Sequence, residues 1–362
     1  MKKLLAIVLL CLVLLGCSKE VPVETHPTEA PTVPPTTAAT EPATEPPTEP
    51  PTEPAPAFAN PLTGEACEEP ITSRPFAVML NNLKPALPQC GVSEADWLFE
   101  VVVEGGITRC MGLFTRLPLQ GDLGSIRSAR PYYVKLAQAY DAIYIHAGGS
   151  NDAYAEIRNI NWDHIDGVNG PNAEQWFYRN QERLNRGVSL EHTMFISTED
   201  ALDYMEQVGC TFNRGSEISY GYLFDEDAAP QGETTNQVVV FFRSGGKTTT
   251  FTYDESDGLY RAAEYGSDYI DGNTEETLAF RNILVLQAPT SLHADGNHQV
   301  IDLLGSGEGS FACGGKCVSI RWSRSSDSDP FRLTLEDGTP LTLGVGKSYV
   351  GIVPTGSPLE LS

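Results

Sequence analysis

The sequence predicts an α/β or α+β mixed N-terminal domain, residues 58–228, followed by a mainly β C-terminal domain, residues 236–357. Up to about residue 224, strand-like and helical stretches alternate, which is typical of mixed layers. From about residue 236 the helical period disappears, and short β-rich runs are separated by Gly-containing turns. An acidic stretch with Gly and Pro, residues 225–235, marks the boundary between the two patterns.

The first element is an export signal, residues 1–16. Lys2 and Lys3 precede twelve unbroken apolar residues, 4–15. Twelve helical residues cover roughly 18 Å, which is too short for a hydrocarbon core of about 30 Å. The sequence LLGC at residues 14–17 resembles a bacterial lipobox, although a smaller or β-branched residue is usual where this chain has Leu15. Cys17 is therefore predicted to carry the lipid; the alternative is a secretory signal with an incidental Cys.

A tether is predicted for residues 17–57. Residues 20–57 contain 12 Pro, 9 Thr and 7 Glu, and Thr-Glu-Pro recurs four times. This composition cannot bury a core, so it favours an extended, self-repelling spacer that holds the folded body away from the membrane.

Strands and helices are predicted in turn along residues 58–228. Residues 76–80 and 97–103 have strand composition, and residues 107–115 return after Gly105-Gly106, a dipeptide that favours a hairpin. Ser128 can cap a helix whose first turn accommodates Pro131. The remaining predicted elements are a strand at 141–147, a helix at 152–158, a strand at 194–196 and a helix that begins at Ser197 and ends near Gly209.

The C-terminal segment contains eight β-rich runs and three turn dipeptides. The runs lie at 238–243, 249–253, 259–263, 283–286, 300–304, 317–322, 331–335 and 349–353. The turns are Asp257-Gly258, Gly314-Gly315 and Asp337-Gly338. Short strands with regular turns predict a sheet-rich fold.

The net charge limits the classes of partner. The whole chain has 24 Lys+Arg and 48 Asp+Glu; three lysines and seven glutamates precede residue 58, so the body holds 21 basic and 41 acidic side chains, a net charge of −20. Nucleic acids and anionic lipid surfaces are recognised through positive patches. We therefore expect no nucleic-acid partner, and membrane association only through the Cys17 lipid.

Six cysteines remain in the body once Cys11 and Cys17 are set aside. Disulfides are possible in an exported protein. Cys313 and Cys317 are the nearest pair, and a hairpin is as consistent with a disulfide between them as with free thiols. No second Cys or His pair accompanies them, so a zinc site is not favoured.

The densest group of polar residues lies between residues 100 and 150. Glu100 and Glu104 are four residues apart and are interpreted mainly as solvated carboxylates. Three guanidiniums, Arg109, Arg127 and Arg130, lie near a predicted helix start, where an anion is favoured. They form either a carboxylate or phosphate site, or internal ion pairs with Glu100, Glu104 or Asp141.

Two histidines complete the candidate ligand site. His146 ends a predicted strand before Gly148-Gly149-Ser150, a position that lines crevices in α/β layers, although a satisfied core histidine is the commoner outcome. His192 could approach His146 if the fold brings them together. No phosphate-binding loop, hydrolase Ser motif, zinc-protease motif or EF-hand loop is present. We therefore predict no cofactor and no metal, and the sequence identifies no catalytic residue.

Six motifs resemble the YerB-like bacterial lipoproteins, a family without an assigned biochemical function. They are NPLTG at 60–64, RPFAVMLNN at 74–82, SEAD at 93–96, EGGITR at 104–109, IRSARPY at 126–132 and DAIYIHAGGS at 141–150. The loop SLEHT at 189–193 departs from the family's usual Pro-His-Asn, since only His192 matches. The resemblance implies a lipid-anchored surface protein of Gram-positive type, on the extracytoplasmic face of the membrane, and it supplies no catalytic residues.

Three functional interpretations follow. The first is a non-enzymatic envelope protein that binds a cell-wall component or another envelope protein through Glu104, Arg109, Arg127, Arg130, His146 and His192. The second is an envelope enzyme acting on a phosphate- or pyrophosphate-linked glycan precursor, in which the arginines hold the phosphates and Glu104 or His146 moves a proton. The third is a structural spacer, in which the crevice at residues 141–150 is filled by the protein's own side chains.

Overall fold

The structure is a computed structural model, and it describes residues 58–119, 121–213, 215–243 and 246–362. The predicted signal peptide, the lipidated Cys17 and the tether at residues 17–57 lie outside these described residues. The described residues form one compact unit. The fold is mostly β, as predicted for the C-terminal segment, with helices concentrated in the N-terminal segment.

An eleven-stranded sheet forms the centre of the molecule. Its strands in chain order are β1 (Phe76–Asn81), β2 (Trp97–Val102), β3 (Thr108–Phe114), β4 (Ile143–His146), β5 (His164–Asp166), β6 (Glu233–Thr234), β7 (Asn282–Ala288), β8 (Gly305–Cys313), β9 (Lys316–Arg324), β10 (Arg332–Leu335) and β11 (Ser348–Pro354). Their spatial order is β6-β9-β8-β7-β11-β2-β3-β1-β4-β5, and β10 also pairs with β9.

The last long strand joins the two sequence segments. β11 lies between β7 and β2 and runs parallel to both, so that Val350 is opposite Leu284 on one side and Phe99 on the other. The predicted segments 58–228 and 236–357 therefore contribute to one continuous sheet.

Four α-helices lie in the N-terminal segment of the described chain. They are α1 (Pro131–Ala139), α2 (Asn151–Ile160), α3 (Gln181–Asn185) and α4 (Thr198–Gln207). Pro131 occupies the first turn of α1, as predicted, but the residue before the helix is Arg130 and no side chain caps it, so the predicted Ser128 cap is wrong. The predicted helix start at Ser197 is confirmed, and Ser197 caps α4, because its Oγ accepts a hydrogen bond of 3.0 Å from the Asp200 amide.

A second, six-stranded sheet is built from the C-terminal segment. Its strands are Gln237–Phe241, Thr248–Asp254, Leu259–Glu264, Ser267–Asp268, Ala279–Phe280 and Leu359–Leu361. Short pairs join Phe58–Ala59 to Ala66–Cys67, Leu223–Asp225 to Thr342–Gly344, and Thr290–Leu292 to Gln299–Ile301. A three-stranded sheet contains Asp122–Gly124, Met194–Ser197 and Tyr178–Arg179.

Alternating side chains divide the apolar core into two clusters. Ala77 and Met79 of β1 pack in a cluster with residues of α1 and α2, whereas Val78 and Leu80 pack in the other cluster, with residues of α4 and the six-stranded sheet. Because successive side chains of a strand point to opposite faces, the central sheet is covered on both sides. This explains why β1 to β3 are buried along their whole length.

Cys313 and Cys317 are not paired in the structure. Both thiols are free, and Cys313 belongs to the core cluster with the helices while Cys317 belongs to the cluster with the second sheet. In the register of β8 and β9, Cys313 is opposite Lys316 and Cys317 is opposite Ala312. Side chains on opposite faces of a sheet do not meet the geometry of a disulfide, so of the two alternatives that the sequence left open this fold fits free thiols.

Candidate functional site

The predicted site lies at one edge of the central sheet. The parallel strands β1, β4 and β5 end at Asn81, His146 and Asp166, and the antiparallel strand β3 begins at the same edge, where Arg109 is opposite Asn81. Ligands of α/β folds bind outside the carboxyl ends of parallel strands. The structure therefore brings most of the predicted residues to an edge where a ligand site is expected.

Glu104 is clamped by two of the three arginines. Arg109 Nη2 donates to Glu104 Oε1 at 2.5 Å, and Arg130 donates from Nε to Oε2 at 3.1 Å and from Nη2 to Oε1. Burial by itself raises the pKa of Glu104, but the two guanidinium charges lower it to about 2. Arg109 and Arg130 are buried and form internal ion pairs, the second of the two predicted possibilities, with Glu104 as their partner.

Arg127 has a different and more exposed partner. Its Nη2 donates to Glu191 Oε2 at 2.6 Å, and its Nη1 reaches the Glu191 carbonyl at 3.5 Å. The Glu191 side chain is 52% exposed, whereas that of Arg127 is 17% exposed. The hydrogen bond from Arg127 lowers the pKa of Glu191. This carboxylate can leave Arg127 at little cost, because it remains hydrated when it moves away.

His192 lies next to Glu191 in a short 3-10 turn, Leu190–His192. Its ring Nδ1 is 2.7 Å from Asn81 Nδ2, and burial lowers its pKa. His146 has other partners, so the expected approach of His192 to His146 is not among the contacts of either ring.

His146 is a fully buried core histidine. Its Nδ1 lies 2.8 Å from the Gly148 carbonyl, its ring stacks on Tyr144 and His164, and its Nε2 has no hydrogen-bond partner. Burial lowers the pKa of His146 to about 4, so the ring is neutral at pH 7. Since Glu104 is held ionised, neither group has a pKa suited to proton transfer at neutral pH.

The loop after β4 is closed by main-chain hydrogen bonds. The Ala129 amide donates to the Gly148 carbonyl at 2.9 Å, and the Ala147 amide donates to the Arg127 carbonyl at 3.1 Å. Asp166 accepts from the Gly148 amide at 2.7 Å and from Tyr154 Oη at 2.6 Å. Asp166 was not among the predicted residues, because nothing in the sequence marks the short strand β5 as a neighbour of β4.

A buried ion cluster that nothing in the sequence indicated lies on the other side of β2. Glu100 is fully buried, which corrects its interpretation as a solvated carboxylate. Lys247 Nζ contacts Glu100 Oε1 and lies 2.5 Å from Glu264 Oε2. Thr249 and Tyr349 each donate to Glu100 Oε2 at 2.8 Å. Burial raises the pKa of Glu264 even beside Lys247, because Glu100 adds a second negative charge.

Neither a metal cluster nor a membrane-crossing helix is found in the part of the chain that the structure describes. No group of three or more His, Cys, Asp or Glu side chains there could hold a metal ion. Within the same residues, no helix is long and apolar enough to cross a membrane.

Comparisons with known proteins identify the family. Two family models match, the N-terminal domain of a protein of unknown function (DUF3048) at residues 62–211 and its C-terminal domain at residues 238–350. A relative from Bacillus subtilis (strain 168), named "Putative lipoprotein YerB", is 28% identical over 297 residues, which cover 81% of this chain and 86% of the relative. The crystal structure of YerB protein from Bacillus subtilis matches with a TM-score of 0.73 at 27% identity, over 84% of this chain and 99% of that chain. The chain therefore belongs to the DUF3048 family, whose YerB-like members it resembles in both sequence and fold.

Proposed function

We propose that this protein is a non-enzymatic, lipid-anchored protein of the cell envelope that binds an anionic ligand at Arg127. The lipid on Cys17 and the tether at residues 17–57 would hold the folded body outside the membrane, on its extracytoplasmic face. The ligand class is a phosphate- or carboxylate-bearing component of the cell wall or of another envelope protein.

One observation carries the proposal. Arg127 is the only one of the three clustered guanidiniums whose carboxylate partner is mostly exposed, since Glu191 is 52% exposed and Glu104 is 20% exposed. Three guanidiniums share two carboxylates, so the cluster carries one excess positive charge. An incoming anion could take the place of Glu191 on Arg127, while Arg109 and Arg130 remain fixed on Glu104 and add to the positive potential.

Catalysis is not part of the proposal. The enzymatic alternative needs Glu104 or His146 to move a proton, and Glu104 is bound by two arginines while His146 is fully buried. The binding interpretation needs neither group to change its protonation.

The test is a calorimetric titration of the purified full chain with inorganic pyrophosphate. Arg127→Gln is expected to weaken binding by about tenfold or more, the value of one lost charge-assisted hydrogen bond. Glu191→Gln is expected to strengthen binding, because the competing carboxylate is removed. The two substitutions therefore shift the affinity in opposite directions.

Arg158→Gln is the matched control. Arg158 is an exposed arginine of α2 that does not belong to the cluster, so its substitution changes the net charge by the same amount. Equal effects of Arg127→Gln and Arg158→Gln, or an unchanged affinity in Glu191→Gln, would overturn the proposal.

A further inference from the structure

A cavity of about 480 Å³ lies beside strands β9 and β10, and Arg127 is not among its lining residues. Its lining includes Tyr220 and Tyr222 from the segment that follows α4, and Arg324, Phe331 and Arg332 from the end of β9, the following loop and the start of β10. None of the residues of the site described above lines it.

Arg324 is a buried cation with an unused donor. It is 2% exposed; its Nε donates to the Asp329 carbonyl at 2.7 Å, and its Nη2 donates to the carbonyls of Asp327 at 2.6 Å and Lys135 at 2.7 Å. All of these acceptors are main-chain oxygens, and no carboxylate of the described residues is within ion-pair distance of it. Its Nη1 is buried without a hydrogen-bond partner. The charge of Arg324 therefore lies beneath the cavity wall with no carboxylate in contact with it, and it adds to the positive potential there.

A second guanidinium stands at the mouth of the cavity. Arg332 is exposed, and no ion pair ties it to a carboxylate in the described ranges. Asp329 is the one carboxylate among the described residues that line the cavity, so two guanidiniums and one carboxylate leave a net positive charge there. The folded body as a whole carries −20, so a cavity of positive sign favours an anion locally.

The rest of the lining indicates what the anion is attached to. Tyr220 is half-buried and Phe331 is buried, and both line the cavity, so aromatic carbon forms part of the wall. Ser323, Ser325 and Thr334 add hydroxyl groups. Aromatic surface with a few hydrogen-bonding groups suits a ring that has an apolar face and hydroxyl substituents.

We propose that this cavity binds a sugar that carries a carboxylate. The carboxylate would accept hydrogen bonds from Arg332, with the buried charge of Arg324 adding to the positive potential, and the ring would lie against Tyr220. The site is independent of the proposed anion site at Arg127, since the two share no residue.

The experiment is calorimetric titration of the purified full chain with three matched probes. N-acetylmuramate has both ring and carboxylate, N-acetylglucosamine has the same ring without the carboxylate, and lactate has a carboxylate without the ring. Saturable binding of N-acetylmuramate is expected, with the other two probes at least about tenfold weaker. Arg332→Gln is expected to weaken N-acetylmuramate binding by about tenfold.

Arg321→Gln is the matched control, because Arg321 is an exposed arginine of β9 that does not line the cavity. Its substitution should leave the affinity unchanged. Three results would each overturn the proposal: no saturable binding of N-acetylmuramate, equal binding of either partial probe, or equal losses in Arg332→Gln and Arg321→Gln. Arg127→Gln should not affect this titration, so failure here leaves the first site untouched.

Discussion

Replacing Lys247 with Met is expected to lower the free energy of unfolding by about 3–5 kcal/mol, the cost of removing one partner from a buried ion cluster. The Lys247 side chain is 4% exposed, and those of Glu100 and Glu264 are fully buried. Without the ammonium group, two carboxylates would remain in the interior with no cation in contact with them.

The structure supports a loss of this size. Burial lowers the pKa of Lys247, but Glu100 and Glu264 raise it above its usual value, so the lysine is charged and holds both carboxylates. Methionine is about as long as the aliphatic part of lysine, so the substitution leaves little empty space. The loss of stability therefore reports mainly the lost positive charge. The hydroxyl groups of Thr249 and Tyr349 still donate hydrogen bonds to Glu100, and this limits the loss in the free energy of unfolding.

The assay is urea denaturation of the full chain at pH 7.5, with unfolding monitored by circular dichroism. Lys84→Met is the control, because Lys84 is exposed, and its effect should stay within about 0.5 kcal/mol. Adding Glu264→Gln to Lys247→Met should recover part of the loss, since one uncompensated charge is removed. A loss below about 1 kcal/mol in Lys247→Met, or full additivity in the double variant, would refute the reasoning.

Three further predictions concern buried carboxylates and cysteines of the folded body. Burial raises the pKa of Glu264 to about 7, whereas its unfolded value is near 4.5. Between these two values the folded state binds more protons, so the contribution of Glu264 to stability falls as pH rises. Glu264→Gln should flatten that fall in denaturation curves measured from pH 5 to 8. Glu104→Gln should destabilise the fold by about 3 kcal/mol at pH 7, because it leaves two arginines unpaired. Because the pKa of Glu104 is about 2, the difference in stability from the wild type should shrink as pH falls from about 4.5 toward 2. Thermal unfolding measured over this pH range would show the change. Cys313 and Cys317 should both be alkylated in non-reducing denaturant, and a peptide pair linked by 313–317 in mass spectra would contradict the structure.

Much of the N-terminal fold could be predicted because local signals coincide there with the tertiary structure. The predicted strand at 76–80 and helix start at Pro131 agree with the observed β1 and α1. Gly105 and Gly106, predicted to favour a hairpin, both have positive φ in the turn between β2 and β3.

The strand β8 could not be predicted, because its sequence GSGEGSFAC has the composition of a loop. The structure explains its glycines by close packing: a Cβ at Gly307 would lie 2.5 Å from Trp322 Nε1, and one at Gly309 would lie 2.7 Å from the Val285 carbonyl. Such approaches depend on strands distant in the chain. The partners of Glu100 and Arg127 escaped prediction for the same reason, since Lys247 and Glu191 are 147 and 64 residues away.

The distribution of charge decides how the two proposed sites should respond to salt. Among the described residues, five arginines (Arg74, Arg109, Arg130, Arg183 and Arg324) and five carboxylates (Asp96, Glu100, Asp166, Glu264 and Asp271) are buried. The surface therefore keeps the net charge of −20 while it has fewer cations to offset it. An anionic ligand is repelled by this field at long range and attracted by Arg127 or Arg332 only at contact. Salt screens charges beyond about 10 Å at 0.1 M, so moderate salt should weaken the long-range repulsion and increase the association rate. For a protein with an extended positive surface, the association rate would instead fall from the first addition of salt. An association rate that falls steadily from the lowest salt would mean that the anion is captured by a broad positive surface, and the single-guanidinium sites would then be wrong.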